Sequence, residues 1–162
     1  MTRYSMGTLV PVGMALFCSS LLAADIHFQG ALVEPPPCTI NNNKDLLVSF
    51  GNSIGVNKVD GSNYIQPVDY HLTCDNTSPQ AGLNLVLITT NPDSSDPAAV
   101  QSDIAGFGIR LLVDGSPASF GQLIPVDVAS PPVLQAVPVK APSATLAEGP
   151  FSATATLQVV YQ

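Results

Sequence analysis

Apolar and polar residues alternate in short runs along this chain, and Gly, Pro, Asn and Asp gather between the runs. Ile26, Phe28, Gly30 and Leu32 fall on one face of the first run, and Val48 and Phe50 belong to a second that stops at Gly51-Asn52. Val68, Tyr70, Leu72 and Cys74 alternate with Asp69, His71 and Thr73. Leu83 to Thr90 is denser in apolar residues and halts at Asn91-Pro92, and Ile109 to Val113 runs into the turn pair Asp114-Gly115. Val133, Val137 and Val139 mark a weaker run. Phe151, Ala153, Ala155, Leu157, Val159 and Tyr161 alternate to the penultimate residue. A period of two at this spacing, broken by turn formers, predicts an all-β antiparallel sandwich or barrel. No stretch sustains a 3.6-residue period, so little helix is expected.

The two ends differ from the rest. Asp25 to Val33 reads as a strand, but Pro35-Pro36-Pro37 follows it. Three prolines remove three backbone donors and hold the chain extended, which separates this strand from what Cys38 begins. The last run ends the sequence, and a terminal strand at a sheet edge would expose unpaired N–H and C=O groups beside an apolar face. One end is a loose strand; the other lacks a neighbour.

Residues 1–24 change how the remainder is counted. Arg3, an uncharged and largely apolar stretch from Met6 to Leu22, and then Ala23-Ala24 form the order of a secretory signal peptide. The small and polar residues within the stretch speak against an uncleaved anchor, and bulky Phe17 before Cys18 speaks against lipid attachment. Cleavage would leave 162 − 24 = 138 residues, one domain by size. It would also leave four basic residues against twelve acidic ones, a net charge of 4 − 12 = −8. A chain this acidic, with no basic cluster, suits neither nucleic acid nor anionic lipid. Cys38 and Cys74 survive into an oxidising compartment, where a disulfide is their default state. No metal site or cofactor is expected.

Candidate chemistry is sparse. Gly51-Asn52-Ser53-Ile54-Gly55 matches the G-x-S-x-G elbow of esterases, but no helical pattern follows it. The one later histidine, His71, sits inside a predicted strand, so no enzyme is expected. Asp93, Asp96 and Asp103 lack calcium-loop spacing and read as solvated loop charge, and His27 as exposed filler. Asn76-Thr77-Ser78 fits a sequon but reads as a loop. Gly106-Phe107-Gly108 lacks the third glycine of a dinucleotide site and reads as a bulge or tight packing at a strand start.

Three features together resemble the pilins of chaperone–usher fimbriae. ADIHFQGALV is similar to a pilin N-terminal extension, with Ile26, Phe28, Gly30 and Leu32 on one face. PPPCTINN, LLVSFGN and the cysteine of YHLTC resemble the pilin disulfide pattern, and Gly149 and Tyr161 have the spacing of the C-terminal pilin signature. The stretch from Ile26 through FGN is most similar to the minor tip adaptors of P-type pili.

The resemblance implies an immunoglobulin-like sandwich lacking its last strand. Residues 1–24 would be the signal peptide, 25–37 an N-terminal extension and 38–162 the pilin domain. It further implies a donor strand with Ile26, Phe28, Gly30 and Leu32 directed at a neighbour. Gly149, Phe151, Leu157, Val159 and Tyr161 would border this subunit's own groove, and the Gln162 carboxylate would meet basic residues of a chaperone. The implied partners are a periplasmic chaperone, an outer-membrane usher, neighbouring pilins and an adhesin. The implied location is a surface fimbrium reached through the periplasm. A shaft pilin is the alternative position, and a sugar-binding β-sandwich the distant alternative function.

Overall fold

The computed structural model describes residues 26–31, 38–75 and 82–161. The chain divides into two units, Met1–Val33 and Glu34–Gln162. The expected signal peptide, Leu32, the three prolines, the sequon and Gln162 lie outside the described residues. In the first unit, residues 26–31 form no strand or helix, so the strand expected there pairs with nothing among the described residues.

The described residues of the second unit form ten strands. They are β1 (Cys38–Ile40), β2 (Gln66–Pro67), β3 (Leu72–Cys74), β4 (Leu83–Ile88), β5 (Ala99–Gln101), β6 (Phe107–Val113), β7 (Ser116–Pro117), β8 (Leu123–Pro125), β9 (Leu134–Lys140) and β10 (Thr156–Tyr161). All pairings are antiparallel. One sheet runs β10-β4-β8, a second runs β2-β9-β6-β5 with β7 on β6, and β1 pairs with β3 alone. The only helical elements among the described residues are two three-residue turns, Asn41–Asn43 and Val56–Lys58.

The sequence explains the local geometry. Asp114 and Gly115 both take positive φ, 49° and 78°, and join β6 to β7 as a two-residue hairpin of the kind that such pairs favour. Asn41, Asn42 and Asn43 all have positive φ, which asparagine tolerates better than other residues with a Cβ, and this turn ends β1. Pro138 sits inside the central strand β9, where proline is normally excluded. Its carbonyl accepts the Gly61 N–H at 3.1 Å, so its polar side is turned away from β6. The missing donor therefore costs the β6–β9 ladder nothing, and seven residue pairs run through it.

Leu83, Leu85 and Leu87 of β4 are buried on one face, opposite Tyr161, Val159 and Leu157 of β10. On the larger sheet, Phe107, Ile109 and Ala136 join Val59 in a buried apolar cluster. The Cys38–Cys74 disulfide ties β1 to β3 across directly opposed residues. Closing a loop of 36 residues stabilises the fold by about 4 kcal/mol on the chain-entropy model.

Several expectations need correction. Residues 44–50 form no ladder, although Val48 and Phe50 alternate as a strand would. In the run from Val68 to Cys74 only Leu72–Cys74 is strand, although the Val68 N–H donates to the Leu134 carbonyl, and in the last run strand begins at Thr156. Asp93 is not solvated loop charge. It is 6% exposed, with its Oδ1 accepting the Ser95 N–H, the Ser95 hydroxyl and the Asp96 N–H. Asp96 is held by Arg110 Nε at 2.6 Å. The reading of Gly106 and Gly108 as tight packing is correct: a Cβ would lie 2.7 Å from Ala144 Cβ at the first and 2.7 Å from Asp93 Oδ2 at the second.

The half-buried Tyr70 hydroxyl donates to the Pro132 carbonyl at 2.7 Å. Burial, then the charge of Asp114, pushes its pKa up to about 12, against about 10 in an unfolded chain. The unfolded chain therefore releases this proton first. The stabilisation is complete below pH ~10 and is lost as pH rises towards ~12. Thermal melts across that range should fall with pH, and Tyr70→Phe should flatten the slope; an equally steep slope in the variant would contradict the assignment.

Candidate functional site

β10 carries the unusual chemistry of this fold. β4 lies between β8 and β10, and the carbonyls of Leu83 and Leu87 accept N–H groups from Val126 and Gly121 on the β8 side. Along an antiparallel strand, successive residues direct their backbone groups to opposite sides. Asn84, Val86 and Ile88 therefore bond towards β10, to Val160, Gln158 and Thr156. The backbone groups of Leu157, Val159 and Tyr161 then point away from β4, to an edge with which no strand pairs among the described residues. These same three residues direct their half-buried side chains towards the core face. Unpaired donors and acceptors thus line the open flank of an apolar surface.

Other apolar side chains of the domain are left half-covered. Val48, Phe50, Ile54, Ile104, Leu146 and Phe151 pack against the core cluster but stay partly open. Phe151 holds an aromatic group together, with Phe107 edge-on at 4.7 Å and Phe50 tilted at 6.1 Å. Asp103 secures the chain beside it by accepting the Ser152 N–H at 2.9 Å and the Ser152 hydroxyl at 3.2 Å. The backbone N–H comes first in holding the Asp103 pKa below the usual carboxylate range.

At the end of β10, the Tyr161 hydroxyl meets Cys38 Sγ, which joins the last strand to the disulfide. Desolvation raises the Tyr161 pKa. Gly149 is exposed with φ +147°, a conformation that favours glycine, and open space surrounds its missing Cβ. Phe151, Leu157, Val159 and Tyr161 are therefore brought into one strand and its approach, with Gly149 two residues upstream. Phe50, Ile104 and Leu146 pack with Phe151 against the buried cluster of the larger sheet, and sequence reasoning missed them in this role. The alternation of Leu46, Val48 and Phe50 carried a signal for Phe50 alone.

In the first unit, Ile26 and Phe28 are 77% and 89% exposed. A Cβ added to Gly30 would meet no atom within 4 Å, and its φ is not left-handed, so nothing local requires glycine there. No group of His, Cys, Asp and Glu among the described residues could hold a metal.

The comparisons agree with this geometry. A family described as fimbrial protein matches residues 26–162. The uncharacterized fimbrial-like protein YfcQ of Escherichia coli K12 is 37% identical over 158 residues, 92% of this chain and 97% of that protein. The fimbrial adapter PapF of Escherichia coli is 28% identical over 93% of this chain and 99% of its own. Among solved structures, the P pilus adaptor subunit PapF superposes with a TM-score of 0.57 at 27% identity, covering 80% of this chain and 98% of that one. The P pilus rod subunit PapA reaches 0.59 at 21% identity, covering 85% and 100%, a likeness of fold. The chain belongs to the fimbrial protein family. It is a chaperone–usher pilin with an incomplete immunoglobulin-like sandwich, a structural subunit whose partners include other pilin subunits.

Burial along the two apolar faces sets a testable contrast. Leu85→Ala, at a fully buried position, should cost about 3–5 kcal/mol in urea unfolding, whereas Leu157→Ala at the open flank should cost roughly 1–2 kcal/mol. Equal losses would mean that β10 is as enclosed as β4.

Proposed function

We propose that this pilin polymerises by strand donation. Residues 25–33, within an extension spanning 25–37, donate a strand to one neighbour, and the open edge of β10 in the 38–162 domain accepts a strand from another. The backbone of Leu157, Val159 and Tyr161, which pairs with no strand among the described residues and lies beside half-buried apolar side chains, is the observation that carries this reading. An added strand would gain ladder hydrogen bonds and place alternate side chains against those half-buried side chains. Ile26, Phe28 and Leu32 would be those side chains. Gly30, which no local contact explains, would lie where the acceptor wall comes close.

Before assembly, a periplasmic chaperone would fill the same edge with its own strand and hold the Gln162 carboxylate, and an outer-membrane usher would exchange that strand for the next subunit's extension. Residues 1–24 would direct export and be removed. Along the fibre, the likeness to the adaptor PapF favours an adaptor position near an adhesin, with a shaft position as the rival.

The test is assembly. Deleting residues 25–33 should leave folding and chaperone capture intact but abolish entry into fibres, and Gly30→Trp should slow chaperone displacement on a gel by roughly tenfold or more, since an overpacked contact costs on the order of 1–3 kcal/mol. Tyr161→Asp or Leu157→Asp should instead weaken chaperone capture, because a charge would enter an apolar face. Normal incorporation of the deletion variant would refute strand donation by this segment.

A further inference from the structure

A cleft of about 1130 Å³ opens on the other flank of the sandwich, lined by Thr89, Asp93, Asp96, Arg110, Phe120 and Gln122 among others. Its lining comes from the end of β4, from β6 and β7 and from the loops before β5 and β8, and none of it from β10, so an occupant there would not take the place of a strand added to β10. We propose that this cleft binds a neutral sugar ring, an activity additional to polymerisation and independent of it.

Three observations carry the proposal. First, Asp93 is almost fully buried, yet only its Oδ1 is used: it accepts the Ser95 N–H at 2.7 Å, the Ser95 hydroxyl at 2.6 Å and the Asp96 N–H at 3.1 Å. Oδ2 accepts nothing among the described residues, although no buried side-chain polar atom is left without a partner, so Oδ2 reaches the cleft surface. Second, Arg110 gives Nε to Asp96 Oδ2 at 2.6 Å, and the other guanidinium N–H groups make no hydrogen bond among the described residues. Third, Gly108 keeps this arrangement in place, because a Cβ there would come within 2.7 Å of Asp93 Oδ2.

A purely structural role accounts for Asp93 Oδ1 and for the Asp96–Arg110 pair. It leaves the free carboxylate oxygen and the free guanidinium donors unexplained. The chemistry selects the ligand class. Oδ2 needs a hydroxyl donor, Arg110 needs an acceptor, and Gln122 supplies one of each. The Phe120 ring and the flanking prolines offer an apolar surface of the kind that the C–H face of a pyranose covers. Two carboxylates disfavour an anion, and Arg110 disfavours a simple cation. A polyhydroxylated, uncharged ring meets all four requirements.

The test uses the full chain purified from the periplasm, with methyl α-mannopyranoside and methyl β-galactopyranoside as probes in saturation-transfer NMR. At least one should give a saturable signal with Kd on the order of 1–10 mM. Asp93→Asn keeps the Oδ1 acceptor and so preserves the turn, while replacing Oδ2 with a donor. It should weaken binding roughly tenfold, as should Arg110→Lys, which keeps the charge and loses the fork. Both variants should enter fibres normally. No saturable signal from either sugar would overturn the proposal. So would binding that neither variant changes, or a response to a lysine-rich peptide in place of the sugars.

Discussion

The backbone of a β-strand must find partners on both sides or face water, and among the described residues β10 pairs with a strand on one side only. Its three outward-facing residues, Leu157, Val159 and Tyr161, pair an unbonded edge with side chains that belong to the core. An edge strand is usually blunted by charge, proline or a covering element. β10 has neither charge nor proline: it reads TLQVVY. The rest of the structure keeps that edge in place and open. The β4 ladder fixes its register, Asp103 anchors the chain leading into it, and the disulfide meets its last tyrosine.

The same constraint accounts for the degree of burial across the domain. Leu83, Leu85 and Leu87 are sealed because strands flank β4 on both sides. Phe50, Leu146 and Phe151 pack against the cluster of Val59, Phe107, Ile109 and Ala136 on the larger sheet but stay half-open. On the strand-donation proposal, a strand from outside would complete the sandwich, and assembly and the final stage of folding would share one set of contacts.

Much of this was legible in the sequence, for physical reasons. Apolar runs bounded by turn formers marked β4 and β6, and alternation marked β9 and β10. Two cysteines pointed to the disulfide, and Gly149 with Tyr161 to the terminal strand. Shorter pieces were not legible: β5, β7 and β8 are two or three residues long, too short to show any period. Residues 44–50 alternate without pairing, because alternation reports burial of a face and not possession of a neighbour. The buried state of Asp93 was hidden for another reason. It depends on a bare Gly108 fifteen residues later, and aspartate before serine reads as a solvated turn.

Amide hydrogen exchange on β10 tests the central claim most directly. In the chain with its edge open, the N–H groups of Thr156, Gln158 and Val160 should be protected by β4, and those of Leu157, Val159 and Tyr161 should exchange freely. Adding a peptide of residues 25–33 from the neighbouring subunit that donates the strand should protect the second set and leave the first unchanged. Protection of all six before any peptide is added, or no change afterwards, would contradict an open, strand-accepting edge.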